Sequence, residues 1–231
     1  MHPAPLAILD DLDVLAWCMT RKRLRRDDSR DQTTQRLLIA AQRLIAKKGL
    51  NAASVGNIAA TAGYTRGAFY SNFNSKDDLF IELLRRDHQE THIELGALQS
   101  DSLPLEHIQQ RVLELYGQMY RSHDAFMSWT EARMLAARDS KFRAKLSALL
   151  AEKRAEVAAF IEYFYRRVGI APPVPPATLA LGFMSLFEGV QLAMLSSPAD
   201  VTRDRAESVL TVFIDSIMRL ARLQAAGRTH S

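Results

Sequence analysis

The sequence predicts an all-α fold, in which a small N-terminal unit of three helices precedes a larger helical region. Apolar residues recur about every three to four positions along most of the chain, which is the period of an α-helix. Gly49, Gly63, Gly169 and a proline-rich stretch at 172–176 mark where these amphipathic stretches end. No segment alternates apolar and polar residues as a half-buried strand does.

The first helix of the N-terminal unit is predicted to span Thr33 to Lys48. Cations in its last turn, followed by Gly49, are a typical C-terminal stop, because glycine adopts the left-handed conformation that often follows a helix. The apolar residues that share one face of this helix are Leu37, Leu38, Ala41, Leu44 and Ile45.

A second short helix is predicted from Val55 to Ala62, with the hydroxyl of Ser54 as its cap. Gly63 then ends this helix where the backbone needs a positive φ, and a tight connection leads into a third helix. Two short helices joined in this way form a helix-turn-helix, which we expect over residues 55–74.

The third helix lies in the run from Thr65 to Phe73, which is suited to a DNA groove. Thr65 can cap its start, and Phe69 and Phe73 are four residues apart, so they share a face that can anchor the helix. An ordinary surface helix with an aromatic core face is the alternative for this run taken alone. The residues on the opposite side, which can contact bases and phosphates, are Arg66, Gly67, Tyr70 and Ser71.

The next helix is predicted to open at Ser75, whose hydroxyl can cap it. Asp77 and Asp78 lie in its first turn, where the helix dipole favours negative charge. Lys76 carries a positive charge, which the dipole of its own helix disfavours at this position. It is well placed to bind a docked phosphate, because helix N-termini bind anions.

Residues 35–80 resemble the DNA-binding domain of the TetR family of bacterial transcriptional regulators. The residues that carry the resemblance are Ala40-Ala41, Lys48-Gly49, Ser54-Val55, Ile58-Ala59, Ala62-Gly63, Gly67-Ala68-Phe69-Tyr70, Phe73 and Ser75-Lys76. The DNA contacts that the resemblance implies are Ser54, Thr65, Arg66, Gly67, Tyr70, Asn72 and Lys76. Tyr64 is equally suited to a phosphate contact and to packing in the turn.

The corresponding organisation is an N-terminal extension at 1–30, a DNA-binding domain at 31–91 and a helical ligand-binding and dimerisation domain at 92–231. Gly56 and Asn72 depart from the family's pattern, in which a charged residue and a histidine are common at these positions. Both changes bear on which operator is read. Gly56 also supports an alternative class, a helical small-molecule-binding or adaptor protein without DNA recognition.

Positive charge is concentrated in the N-terminal part. Residues 1–80 hold 12 Lys+Arg and 8 Asp+Glu, which accounts for the whole net charge of +4, and residues 81–231 hold 18 of each. A phosphate-binding surface requires such an excess.

The run 21–26 has five cations in six positions. It is either an arm that follows DNA or a solvated leader. Met19 just precedes this run, so we hypothesise that the native start lies there.

Six helices are predicted from Leu79 onward, the first of which continues the helix that opens at Ser75, and a stiff connector at 172–176 separates the last two from the others. Their bounds are Leu79–Leu98, Pro104–Ser122, Ala125–Arg138, Ser140–Val168, Ala177–Leu195 and Thr202–Ala225. A helix-turn-helix protein usually needs two copies to reach half-sites about 34–36 Å apart. The resemblance implies that residues 177–225 pair across a two-fold axis, so we expect a homodimer on a palindromic operator.

Aromatic and methionine side chains in the middle region predict a pocket for a small apolar ligand that releases the operator. An ordinary core position is the stronger interpretation for any one of them. Glu131 and Glu188 lie among them and could orient a cationic or hydroxylated ligand, or could be surface residues. The predicted ligand-binding residues are Phe126, Trp129, Met134, Phe160, Phe164, Met184, Phe187 and Glu188.

Other functions find little support. His88 and His92 are one turn apart, but no cysteine or third histidine is near, so no metal site is expected. Enzyme and cofactor motifs such as Gly-x-Ser-x-Gly are absent, so we expect neither catalysis nor a cofactor. No apolar run approaches the roughly 20 residues that span a bilayer, so no membrane partner is expected. A single cysteine, Cys18, suits the cytoplasm.

Overall fold

The computed structural model describes the backbone of residues 11–99, 103–119 and 122–228, and the side chains of residues 30–99, 103–118 and 122–219. Within these ranges the chain forms nine α-helices and no strand. The helices are α1 (Asp11–Ala52), α2 (Val55–Thr61), α3 (Arg66–Tyr70), α4 (Lys76–Ala97), α5 (Leu105–Met119), α6 (His123–Arg138), α7 (Ser140–Val168), α8 (Pro176–Ser196) and α9 (Arg203–Arg228).

The predicted all-α fold is confirmed, and the bounds of α4 to α9 lie within about three residues of those predicted. Helix α7 begins and ends as expected, with the Asp139 carboxylate accepting the backbone N–H groups of Lys141 and Phe142 at its start. Gly169 follows its end with a φ of 78°. Short-range capping signals therefore located these helices well.

Helix α1 differs from the prediction at its start. The structure begins this helix at Asp11 rather than Thr33, because residues 11–32 contain neither glycine nor proline to interrupt it. Gly49, with a φ of 76°, breaks it as predicted. The basic run at 21–26 lies on this helical backbone, but its side chains lie outside the described residues, as do residues 1–10 of the segment before Met19.

Helix α8 corrects the expectation that no apolar stretch approaches the length of a membrane span. It has 21 residues and a window of mean hydropathy 1.5, so it passes by length and composition alone. Single polar residues such as Ser185 and Gln191 interrupt the apolar run, so its full length was not recognised from the sequence. Only 17% of the window is buried within one chain, which leaves an apolar surface to be covered.

Two hydrophobic cores hold the helices together, and the first is shared between the N-terminal helices and the middle helices α6 and α7. It contains residues of α1 to α4 together with Ala132 and Ala136 of α6 and Phe142 of α7. The rings of Phe80 and Phe142 stack 5.7 Å apart between α4 and α7. The second core lies among α5, the last part of α7, α8 and α9. The N-terminal helices are thus packed directly against α6 and α7.

We expect Phe142→Ala to lower the free energy of unfolding by about 3–5 kcal/mol, because it removes a fully buried ring and leaves a cavity in the shared core. Ile93→Ala is the matched control, since Ile93 is 63% exposed and its truncation should change stability by about 0.5 kcal/mol or less. Urea unfolding followed by circular dichroism measures both. A similar loss in the two variants would contradict the shared core.

Candidate DNA-binding face and ligand cavity

Helices α2 and α3 form the predicted helix-turn-helix. The Ser54 hydroxyl accepts the N–H of Asn57 at 3.1 Å and so caps α2, whose Ile58 and Ala59 are buried. Gly63 makes the turn with a φ of 79°. These local predictions are confirmed.

Helix α3 is shorter than the run that predicted it, because its helical backbone ends at Tyr70. The Thr65 hydroxyl accepts the N–H of Ala68 at 3.3 Å, as expected of a cap. Phe69 and Phe73 are buried, and their rings lie 5.7 Å apart. The predicted aromatic anchor is therefore confirmed.

The side of α3 opposite this anchor faces solvent. Arg66 and Gly67 are exposed, and Tyr70 is 52% exposed. Within the described residues the Arg66 guanidinium has no ion pair or hydrogen bond, so its five N–H donors are available. A Cβ on Gly56 would lie 3.9 Å from Cδ of Arg66. The glycine thus leaves open space beside the exposed cation.

Asn72 and Tyr64 have partners within the chain. The Asn72 amide donates to the carbonyl of Ala68 at 2.7 Å, and its oxygen accepts from the Thr34 hydroxyl at 3.1 Å. These bonds hold the turn after α3 against α1. Tyr64 is partly buried against the first core, which favours turn packing over a phosphate contact for this residue.

Lys76 also binds within the chain, at the end of α1. Its Nζ donates to the backbone carbonyl of Leu50 at 2.6 Å, while the N–H of Leu50 donates to Oε1 of Glu131 at 2.9 Å. A Cβ on Gly49 would lie 3.1 Å from that same oxygen. The expectation that Glu131 could orient a ligand is wrong, because its carboxylate faces the end of α1 rather than the cavity described next.

A cavity of about 560 Å³, here named the main cavity, lies among α4, α5, α6, α7 and α8. Six of the eight predicted ligand-binding residues line it: Phe126, Trp129, Met134, Met184, Phe187 and Glu188. The other two, Phe160 and Phe164, line a separate small cavity of about 90 Å³. The main cavity has the size of a typical small-molecule site.

The charged lining of the main cavity was largely missed by the sequence reasoning. The Trp129 indole N–H donates to Oδ2 of Asp87 at 2.6 Å, and Arg133 forms an ion pair with Glu188. Nζ of Lys153 lies 4.5 Å from the centre of the Trp129 ring. Burial lowers the pKa of Lys153, although nearby carboxylates oppose this effect.

A sequence signal for Lys153 did exist. This cation falls on the face of α7 that carries Leu149 four residues before it and Val157 four residues after it, both of which are buried. A charged residue inside an apolar helical stripe is uncommon and points to a cavity or a paired charge.

His88 and His92 of α4 both face Glu156 of α7. Nε2 of His88 lies 3.0 Å, and Nδ1 of His92 lies 3.2 Å, from the Glu156 carboxylate. Burial lowers the pKa of His88. Among the residues with described side chains, no group of three or more His, Cys, Asp or Glu is arranged to hold a metal ion. The contacts with Glu156 join α4 to α7.

Comparison with known proteins gives the context of this arrangement. Residues 37–83 match the profile of "Bacterial regulatory proteins, tetR family". The transcriptional regulator AcrR of Shigella flexneri is 46% identical over 52 residues, which cover 22% of this chain and 24% of AcrR. The matched segment therefore spans about a quarter of that relative's length.

Solved structures show the same fold over most of the chain. A Rhodococcus protein described as a TetR-family transcriptional regulator superposes with a TM-score of 0.70 at 21% identity, covering 81% of this chain and 99% of that one. SmeT, the Stenotrophomonas maltophilia repressor, in its complex with triclosan, gives a TM-score of 0.63 at 18% identity, covering 80% and 90%. At these identities the likeness concerns the fold.

We expect Glu131→Leu to lower the free energy of unfolding by about 1–3 kcal/mol, because the N–H of buried Leu50 loses its acceptor. Glu131→Gln is the matched control, since its amide oxygen can still accept that bond. Urea unfolding gives the energies, and hydrogen exchange of the Leu50 amide reports the bond itself. Equal exchange rates in wild type and Glu131→Leu would contradict this arrangement.

Proposed function

We propose, from the premise that this chain belongs to the TetR family of bacterial transcriptional regulators, that it is a homodimeric repressor released from a palindromic operator by a small ligand. Members of this family are DNA-binding regulators and not enzymes. The observation that carries the proposal is the exposed cation and phenol on α3, opposite an aromatic anchor in which Phe69 is fully buried and Phe73 is 8% exposed.

In the proposed complex α3 enters the major groove of the operator. Arg66 reads base edges, because its guanidinium can donate two parallel hydrogen bonds to guanine. Thr65 and Tyr70 bind phosphates and set the register. Lys76 uses one N–H on Leu50 and keeps two further donors for a phosphate.

The last two helices supply the proposed dimer interface. Five large apolar side chains on them are exposed within one chain: Leu181, Leu192 and Leu195 on α8, and Val209 and Val212 on α9. A Cβ on Gly182 or Gly189 would meet nothing within 4 Å, so another helix can approach α8 closely. A second copy of the chain would cover this surface and place two recognition helices on successive half-sites.

Ligand control is proposed to act through α6 and α4. Trp129 of α6 lines the main cavity and is bonded to Asp87 of α4, and Glu131 of α6 holds the end of α1. A ligand that binds one arrangement of these helices more tightly shifts the spacing of the two α3 helices. The triclosan complex of SmeT supports small-molecule binding within this fold. The bacterial cytoplasm is the corresponding proposed location.

We expect Arg66→Ala and Tyr70→Ala each to weaken operator binding by about 1–3 kcal/mol per contacted site, which is about 5- to 150-fold in affinity. A gel-shift titration with the DNA that flanks the protein's own gene measures this at two salt concentrations. Arg111→Ala is the control, because it removes an exposed cation that, among the described side chains, forms an ion pair with Glu114 on α5.

Binding that is insensitive to salt, or equally weakened by Arg111→Ala, would contradict the assignment of the DNA face. Specific ligand binding without any DNA affinity at low salt would favour the alternative of a helical small-molecule-binding or adaptor protein.

We expect Val212→Glu to convert the dimer to monomers at micromolar concentration, because it places a charge in the apolar surface of α9. Val212 is 65% exposed in one chain, so the substitution should leave the fold of the subunit intact. Ile93→Glu is the control, since Ile93 is 63% exposed on α4. Sedimentation velocity measures both variants, and a Val212→Glu protein that remains dimeric would refute this interface.

A further inference from the structure

The main cavity contains a lysine whose ammonium has no direct ion pair. Lys153 lines this cavity, and its Nζ lies over the face of Trp129. Within the described side chains, Lys153 forms no ion pair and no hydrogen bond. Burial lowers the pKa of this half-buried ammonium even though Asp87, Glu188 and Glu156 act in the opposite direction, so these carboxylates do not fully offset its desolvation. A ligand that brings a negative charge would remove that cost.

The two carboxylates nearest to this cation inside the cavity already have donors. Asp87 accepts the indole N–H of Trp129, and Glu188 pairs with Arg133. A cationic ligand would have to share these carboxylates with their present donors and would also meet the positive charge of Lys153. An anionic ligand needs to displace neither.

The other acidic residues near Lys153 do not offer an interior site for a cation. Glu90 and Glu94 line the cavity but are exposed to solvent, where water screens their charge. Glu156, whose charge also acts on Lys153, faces the two histidines of α4. Lys153 is therefore the charged group inside the cavity that, among the described side chains, has neither a hydrogen bond nor a direct ion pair.

The main cavity adjoins the small cavity at apolar and aromatic side chains. Tyr116, Val157 and Phe183 line both, so these three side chains lie between the two spaces. Every residue that lines the small cavity is aliphatic or aromatic or is methionine. An apolar chain that extends past Phe183 would enter a space in which water has few partners.

We propose that the main cavity binds an amphipathic acid, a molecule with one carboxylate and an extended apolar chain. The carboxylate lies against Lys153 beside Trp129, and the chain extends past Tyr116 and Phe183 towards the small cavity. This inference rests on the proposed ligand-responsive function and assigns the ligand's charge. It replaces the expectation of a wholly apolar ligand with one that carries a single acidic group.

Three probes with the same ten-carbon chain test this inference: decanoate, decanol and decyltrimethylammonium. Isothermal titration calorimetry on the full-length protein without DNA measures each affinity. We expect decanoate to bind about tenfold or more tightly than either of the others, because it alone supplies the counter-ion. Tightest binding of decyltrimethylammonium, equal binding of all three, or no binding of any would overturn the inference.

Variants of Lys153 test the named contact. Lys153→Met keeps the length of the side chain and should weaken decanoate binding about tenfold while changing decanol binding by less than about threefold. Lys153→Arg should retain the preference for decanoate. Lys141→Met is the control, since it removes an exposed lysine from the start of the same helix. A decanoate preference that persists in Lys153→Met would overturn the assignment of Lys153.

Gel shifts with and without decanoate separate this inference from the proposed function. Decanoate that binds with the expected preference but leaves the operator complex intact contradicts ligand-induced release and upholds the ligand class. Operator binding that depends on Arg66, together with no preference for decanoate, upholds the DNA-binding function and overturns the ligand class.

Discussion

The peptide groups of Leu50 are held from two sides, and the relation between the DNA-facing helices and the cavity depends on this arrangement. The positive φ of Gly49 ends the regular helix, so the N–H of buried Leu50 needs a partner from elsewhere, while its C=O accepts the N–H of Ala53 at 3.2 Å and can accept a second donor. Glu131 accepts that N–H, and Lys76 is the second donor to the C=O. The end of α1 is therefore the point at which α6, which lines the main cavity, and α4, which follows the recognition helix α3, come together.

Helix α6 is suited to connect the main cavity with the end of α1 because opposite faces of this helix contact the two. Trp129 and Arg133, four residues apart, share the face that lines the main cavity. Glu131 lies between them in sequence and points about 160–200° away around the helix, towards the end of α1. A helix moves as a unit, so a ligand that displaces the cavity face also displaces the carboxylate on Leu50. Packed helices of this kind shift between discrete arrangements rather than deform continuously.

The parts of the fold and of the DNA face that the sequence predicted are those set by neighbouring residues. The caps at Ser54, Thr65 and Ser75 act on N–H groups three residues away, and the spacing of Phe69 and Phe73 defines the buried side of α3. The bond between Leu50 and Glu131 joins residues 81 positions apart, and no local pattern encodes such a pairing. Lys76 was assigned to phosphate alone for the same reason, since its partner at Leu50 is distant in the sequence. The start of α1 at Asp11 was not predicted because residues 11–32 show only weak amphipathicity, although neither glycine nor proline interrupts them.

Lys153 shows why a departure from a helical pattern carries information. Helix α7 passes through both cores, with Leu149 in the first and Val157 in the second, and Lys153 lies midway between them. A cation is tolerated there because the main cavity, rather than close-packed side chains, adjoins it. A ligand at this junction contacts the helices of both cores at once. Lys153, which interrupts the apolar stripe of α7, therefore marks the place where a bound ligand can change how the two cores pack against each other.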